Sequence, residues 1–166
     1  MTDAVDAVLD LWLRERPDLD PWPTGLVGRV QRLARFLEQA QKEFLAGHGL
    51  EYWEFDVLTT LRRSGPPYEL SAGALIRATM VTSGAITNRL DRMEVSGLVE
   101  RVRDTADRRS VRARLTARGH DVVDTVFPLH IENGKRMLQD LAPEDREPMA
   151  RLLRTLLESF GDTSLD

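Results

Sequence analysis

The sequence predicts a mainly α-helical protein with a small β-wing, arranged as a winged helix-turn-helix. A short helix before Gly97 is predicted by apolar side chains that recur at helical spacing and so share one buried face. These side chains are Ile86, Leu90 and Met93. Gly97 tolerates the left-handed backbone that ends a helix. The segments 98–102 and 111–115 then favour extended chain around a charged turn at 104–110, which predicts a hairpin.

The chain before this region is predicted to be largely helical. An N-terminal helix over residues 3–15 ends at a proline-rich segment, which cannot continue a helix. A long helix follows over 24–45, and another over 51–63 leads to a breaker loop at 64–67. The first helix of the helix-turn-helix opens at 70–71. The side chains expected to point inward from the long helix are Leu26, Val30, Leu33, Phe36, Leu37, Ala40 and Phe44.

Two more helices are predicted after the wing, over residues 117–141 and 143–160. Pro128 falls inside the first of them, so a kink or a break is expected there. Pro143 and the acidic residues after it suit the first turn of the second helix. Together these helices carry more apolar side chains than one small core needs.

Charge is segregated along the chain. The formal net charge is -4, yet arginines outnumber acidic residues between positions 82 and 118. A basic segment in an acidic protein is typical of nucleic-acid binding, because contacts with phosphates supply affinity and orientation. A solvated hairpin rich in arginine is the alternative interpretation.

Two runs in this region resemble parts of MarR-family transcription regulators. Their recognition helix is matched by ITNRLDRMEVSGL, and their wing by GLVERVRD followed by DRRSVRARLTARGHDVV. The resemblance implies a homodimer with N- and C-terminal dimerisation helices on a pseudo-palindromic double-stranded DNA operator. Arg109 would be the wing arginine in the minor groove, with Asp107 bracing it and Arg108 as its rival. The expected DNA-binding residues are Thr82, Ser83, Thr87, Asn88, Arg89, Arg92, Arg108, Arg109 and Arg112.

This resemblance also suggests a domain organisation. The expected regions are an added N-terminal helix and linker at 1–20, dimerisation and scaffold helices at 21–64, the winged helix-turn-helix at 65–118, C-terminal dimerisation helices at 119–161 and a tail at 162–166. They are expected to form one compact chain rather than independent domains.

Several kinds of chemistry are disfavoured. The sequence has no cysteine, which removes disulfides and thiolate metal sites. Its histidines lack metal-site spacing, and neither a phosphate-binding glycine loop nor a nucleophile elbow occurs. We therefore expect no catalysis, no cofactor and no metal. No run is apolar enough to span a membrane, and the acidic start is unlike a signal peptide, so a cytoplasmic location is expected.

A second resemblance is to the urate-responsive, UrtR/PecS-like branch of the family. It is carried by an added N-terminal helix with WLRERPDLD, by EFDVLTTLRRS and by GLVER. In that branch a tryptophan, an aspartate, an arginine seven positions later and a second arginine form the ligand site. By position these residues are Trp12, Asp56, Arg63 and Arg101, and Trp22 competes for the place of Trp12.

Such a set suits a flat anionic ligand. It would stack on the tryptophan and accept forked hydrogen bonds from arginine. Its negative charge would also repel Asp56. We expect that Asp56 holds Arg101, so this repulsion would move Arg101. Relatives of this architecture answer to urate, xanthine-like purines or carboxylates such as citrate and aconitate, and urate is favoured here. The expected function is a repressor released by a small anionic metabolite. An effector-independent DNA-binding protein, and an enzyme or interaction dimer on the same scaffold, are the alternatives.

Overall fold

The computed structural model describes residues 2–79, 86–103 and 111–164, and within them the chain forms seven helices and three strands. The helices are α1 (Ala4–Glu15), α2 (Trp22–Ala46), α3 (Tyr52–Arg63), α4 (Ala72–Ala78), α5 (Ile86–Val95), α6 (Ala117–Met137) and α7 (Pro143–Ser159). The strands are β1 (Glu69–Ser71), β2 (Val99–Arg103) and β3 (Val111–Leu115). The predicted fold class, mainly helical with a small antiparallel sheet, is confirmed.

The chain divides into two compact units, residues 1–43 and 44–166. In the first unit, ion pairs join the start of α1 to α2. Arg29 of α2 donates from Nε to Oδ2 of Asp3 at 2.8 Å and from Nη2 to Oδ1 of Asp6 at 2.5 Å. The backbone N–H of Asp6 and then the Arg29 guanidinium lower the pKa of the Asp3 carboxyl. The carboxylate that caps α1 therefore also attaches this added helix to α2.

The core of the second unit forms where α3, α4, α5, α6 and the sheet meet. Its fully buried side chains are Leu45, Val57, Leu58, Thr60, Leu61, Leu75, Met93, Val99 and Val123. The three apolar side chains predicted for the buried face of α5 are confirmed, since Ile86, Leu90 and Met93 are 2%, 5% and 0% exposed. This burial fixes the outward face of α5, because the remaining residues of a helix must point away from the core.

The sheet has the strand order β1-β3-β2, and both pairs are antiparallel. Strand β1 was not predicted, and the expectation that a helix opens at Leu70 is wrong, because Leu70 pairs with Ala113 of β3. Ser71 does cap α4, since its hydroxyl accepts from the backbone N–H of Ala74 at 3.2 Å. A strand of three residues has no periodicity to read, and only its pairing with β3 defines it.

The inward face predicted for α2 is wrong within the single chain for its first four residues, whereas Phe44 near its end does pack against the core. Leu26, Val30, Leu33 and Phe36 are 48%, 43%, 40% and 60% exposed. Periodic apolar spacing shows that a helix has a face for burial, but it does not show which surface covers that face.

Helix α6 runs through Pro128 without a break and ends at Met137, so of the predicted kink or break the break does not occur, and the predicted end near 141 is wrong. Packing on both sides of the proline offsets the lost backbone hydrogen bond. Val123 and Val126 are buried before it, and after it the His130 ring lies 4.9 Å from the Phe55 ring, measured between centroids.

We expect Gly119→Ala to destabilise the second unit strongly. Gly119 lies in the first turn of α6, and a Cβ there would lie 2.0 Å from the backbone oxygen of Leu98. Because backbone cannot rotate away, the free energy of unfolding should fall by about 3 kcal/mol in urea titrations. Gly134→Ala on the same helix is the control, since a Cβ there meets nothing within 4 Å. It should raise stability by up to about 1 kcal/mol, and equal losses in both variants would contradict the close approach.

We expect His130 to make stability depend on pH below about 6.5. Burial lowers the pKa of His130 from its ordinary value of 6.5, and its buried Nδ1 has no hydrogen-bond partner among the described residues. As pH falls through that value, the unfolded chain takes up a proton that the folded chain resists, so the free energy of unfolding decreases. Urea titrations from pH 8 to pH 5 should show a shallower decrease for His130→Leu, and an identical decrease would contradict this role.

Candidate DNA interface and ligand site

The recognition helix α5 presents polar side chains to solvent. Thr87 and Asn88 are both exposed, on the side of the helix away from its buried apolar residues. Gly97, at φ +69°, closes the helix, and the N–H of Leu98 returns to the carbonyl of Met93 at 2.9 Å. Hydroxyl and amide groups on such a face are suited to hydrogen bonds with base edges.

Two of the predicted DNA-binding arginines of α5 also contact the scaffold. The guanidiniums of Arg89 and Arg92 lie over the ring of Trp53 in α3, 5.4 Å and 4.9 Å from its centroid. Arg92 Nη2 also pairs with Oε1 of Glu51, the residue that precedes α3. Sequence reasoning missed Glu51 and Trp53, because only the tertiary packing of α3 against α5 brings them to these arginines.

Arg101, predicted for the ligand site, is bonded to the recognition helix. Its Nη2 pairs with Oδ1 of Asp91 at 2.5 Å, and its Nη1 donates to Oε2 of Glu94 at 3.2 Å. The backbone N–H of Arg101 also donates to Oε1 of Glu94 at 3.2 Å. Asp91 and Glu94 are three positions apart on α5, a spacing that places both carboxylates on one helix side and that could have indicated this contact.

Arg63, the other predicted ligand arginine, is bonded to the first helix of the helix-turn-helix. Its Nη2 donates to the backbone oxygen of Ala78, the last residue of α4, at 2.6 Å. Asp56 is half-buried on the same helix, two turns before Arg63. The contact of Asp56 with Arg101 that the sequence suggested stays a prediction.

The two candidate tryptophans belong to the first unit, whereas Asp56, Arg63 and Arg101 belong to the second. Trp12 on α1 is 51% exposed, and Trp22 at the start of α2 is 64% exposed. Both indoles therefore have surface available for stacking, and the choice between them stays open.

Part of the predicted DNA-binding set lies outside the described residues: Thr82, Ser83, Arg108 and Arg109, together with Asp107. Arg112 is described and is half-buried on β3, opposite Val102 of β2 and Ser71 of β1. It therefore lies in the central strand of the sheet, between β1 and β2.

In the described ranges, His, Asp and Glu side chains form no group of three or more that could hold a metal ion. No helix in the same ranges has both the length and the apolar character that spanning a membrane requires.

The buried and exposed faces of α5, the antiparallel wing and the arginines around them define a winged-helix DNA-binding protein. The MarR family model matches residues 48–110. The HTH-type transcriptional regulator PecS from Dickeya dadantii is 34% identical over 149 residues, covering 90% of this chain and 90% of that protein. The chain belongs to the MarR family of transcriptional regulators, and it is not an enzyme.

Solved structures of this family share the fold. AbsC, a MarR family transcriptional regulator from Streptomyces coelicolor, aligns with a TM-score of 0.78 at 25% identity, covering 87% of this chain and 98% of that chain. A second MarR family regulator from that organism, solved in complex with DNA, aligns with a TM-score of 0.76 at 22% identity. This alignment covers 85% of this chain and 89% of that chain. A structure of Bordetella bronchiseptica BpsR, which concerns regulation of its DNA binding by 6-hydroxynicotinic acid, gives 0.70 at 23%, covering 78% and 90%.

Proposed function

We propose that the chain is a homodimeric repressor that a small anionic metabolite releases from a pseudo-palindromic operator. This proposal rests on one observation: each of the two candidate ligand arginines is bonded to a helix of the helix-turn-helix. Arg63 holds the end of α4, and Arg101 holds the outward side of α5. An anion that binds either guanidinium competes with a contact that positions the helix-turn-helix. Ligand binding and DNA binding are thereby coupled through the same side chains.

Urate or a related purine is the favoured effector. Its negative charge suits forked hydrogen bonds from arginine and repulsion of Asp56. The family relationship to PecS supports a transcriptional regulator, and BpsR provides a precedent on this fold for control of DNA binding by a small heterocyclic acid. Citrate, aconitate or another small carboxylate is the alternative, because two arginines bind any compact anion.

In the DNA complex, α5 would enter the major groove and the wing would reach the flanking minor groove. In the major groove, Thr82, Ser83, Thr87 and Asn88 would read bases or hold phosphates. In the minor groove, the inserted residue would be Arg109, or its rival Arg108. Two such helices bind one face of DNA only when they are about 34 to 36 Å apart, so a small shift of α5 weakens binding.

The proposed second copy covers the apolar surface of the terminal helices. No residue of α7 is buried, although Leu152, Leu153, Leu156 and Leu157 lie along it, 67%, 39%, 42% and 51% exposed. A 17-residue helix with no buried side chain receives little stabilisation from packing against its own chain. A partner helix would supply the burial that α7 lacks.

We expect sedimentation to give about twice the chain mass of 18.8 kDa. Leu153→Asp should shift the protein toward the monomer and weaken operator binding, because a carboxylate would be buried between the copies. Thr155→Asp, which adds the same charge about half a turn away on α7, is the control and should remain dimeric. A monomeric wild type, or equal behaviour of both variants, would refute the proposed interface.

The first experiment on function is an anisotropy titration on the DNA upstream of the chain's own gene, with and without urate, xanthine and citrate. We expect specific binding that one compound weakens. Arg63→Lys keeps a charge and one donor for Ala78 but loses the forked geometry, so DNA binding should persist and about tenfold more effector should be needed. Arg109→Ala is the contrasting variant and should weaken DNA binding without effector. Binding that no compound changes would support the effector-independent alternative.

A further inference from the structure

Glu51 is a carboxylate held in place beside the recognition helix. Trp53 is half-buried and packs against the core, and its Nε1 donates to Oε2 of Glu51 at 2.5 Å. The other carboxylate oxygen, Oε1, pairs with Nη2 of Arg92. The hydrogen bond from Trp53 and then that from Arg92 lower the pKa of Glu51, so the group is ionised at neutral pH. Most exposed carboxylates must be ordered before they pair, whereas this one is already positioned by a core residue.

Arg92 is accessible to DNA from where it lies. Its side chain is 60% exposed, and it is one turn after Asn88, so the two residues share a side of α5. It also borders an open groove of about 350 Å³ whose other lining residues are Glu54, Asp91, Val95 and Ser96. The carboxylates of Glu54 and Asp91 make this groove acidic, so a phosphate would approach the guanidinium from its solvent-exposed side, without moving a core side chain.

We propose that Glu51 is an internal competitor of the DNA phosphate for Arg92, and that it limits the affinity of the protein for any duplex. In the DNA-free chain the Glu51 carboxylate occupies the guanidinium. On binding, a backbone phosphate must replace that carboxylate. Trp53 keeps the guanidinium in place during the exchange, because stacking on a ring leaves the edge of the guanidinium free for either oxygen anion.

The test is a set of variants titrated against a labelled duplex of mixed sequence, which requires no knowledge of the operator or the effector. Glu51→Gln should bind about two- to fivefold more tightly, the range that an exposed ion pair supports. Because Arg92 takes one phosphate in both proteins, the slope of log affinity against log salt should change by less than the value of about 0.9 that one added phosphate contact would give. Glu51→Asp keeps the net charge, but its shorter side chain places the carboxylate farther from Arg92. It should therefore also bind the duplex more tightly.

Two controls separate competition from a general charge effect. Glu54→Gln removes the same charge from the same turn of α3, and it keeps an oxygen that can accept from the N–H of Glu51. It should change affinity less than Glu51→Gln does. In an Arg92→Ala background, Glu51→Gln should add nothing beyond the change seen with Glu54→Gln. The proposal is overturned if Glu51→Gln weakens binding, if it only matches Glu54→Gln, or if its gain persists without Arg92.

Discussion

The burial of Ile86, Leu90 and Met93 is the constraint on which the rest of the DNA-binding region depends. The ten described residues of helix α5 are too few to be stable alone in water, so their position comes from the core beneath them. The same core fixes the end of the helix. Gly97 turns the chain, the hydroxyl of Thr116 donates to its carbonyl at 2.7 Å, and Gly119 allows α6 to approach the backbone of Leu98, which precedes β2. The packing of the buried face of α5 therefore determines the direction in which its outward face points.

Interactions on that outward face are individually weak, which makes them suitable for regulation. An exposed ion pair contributes about 0 to 1 kcal/mol, whereas useful coupling between an effector and DNA needs about 1 to 3 kcal/mol. One arginine in one chain falls short of that range. In the proposed dimer, Arg63 and Arg101 would act twice each, and the sum reaches it. A regulator built in this way responds to a ligand without any unfolding of its core.

The sequence predicted the parts of the fold that have internal periodicity. The buried face of α5 and the two strands of the wing follow from local spacing and turn chemistry. The errors arose where a partner decides the outcome. The exposed face of α2, the strand β1 and the continuous helix through Pro128 depend on surfaces distant in sequence.

The candidate site shows the same division. Residue type and position identified Arg63 and Arg101, but the sequence did not reveal that their partners are Ala78, Asp91 and Glu94. Likewise, Arg89 and Arg92 were expected to face DNA, and their stacking on Trp53 required the folded chain. A sequence motif identifies a functional side chain. Which other side chain pairs with it in the folded protein depends on the tertiary structure.

Competing partners also explain how an acidic protein can bind DNA under control. The formal net charge is -4, so attraction to phosphate comes from arginines gathered on one region rather than from the whole chain. Asp91 and Glu94 of α5 hold Arg101 on one side of the helix, and Glu51, which precedes α3, holds Arg92 on the other side. A phosphate that takes Arg92 and an anionic metabolite that takes Arg101 would each displace a carboxylate. DNA and effector would thus act on one helix through the same chemistry, and the helix would respond according to which of its ion pairs had been replaced.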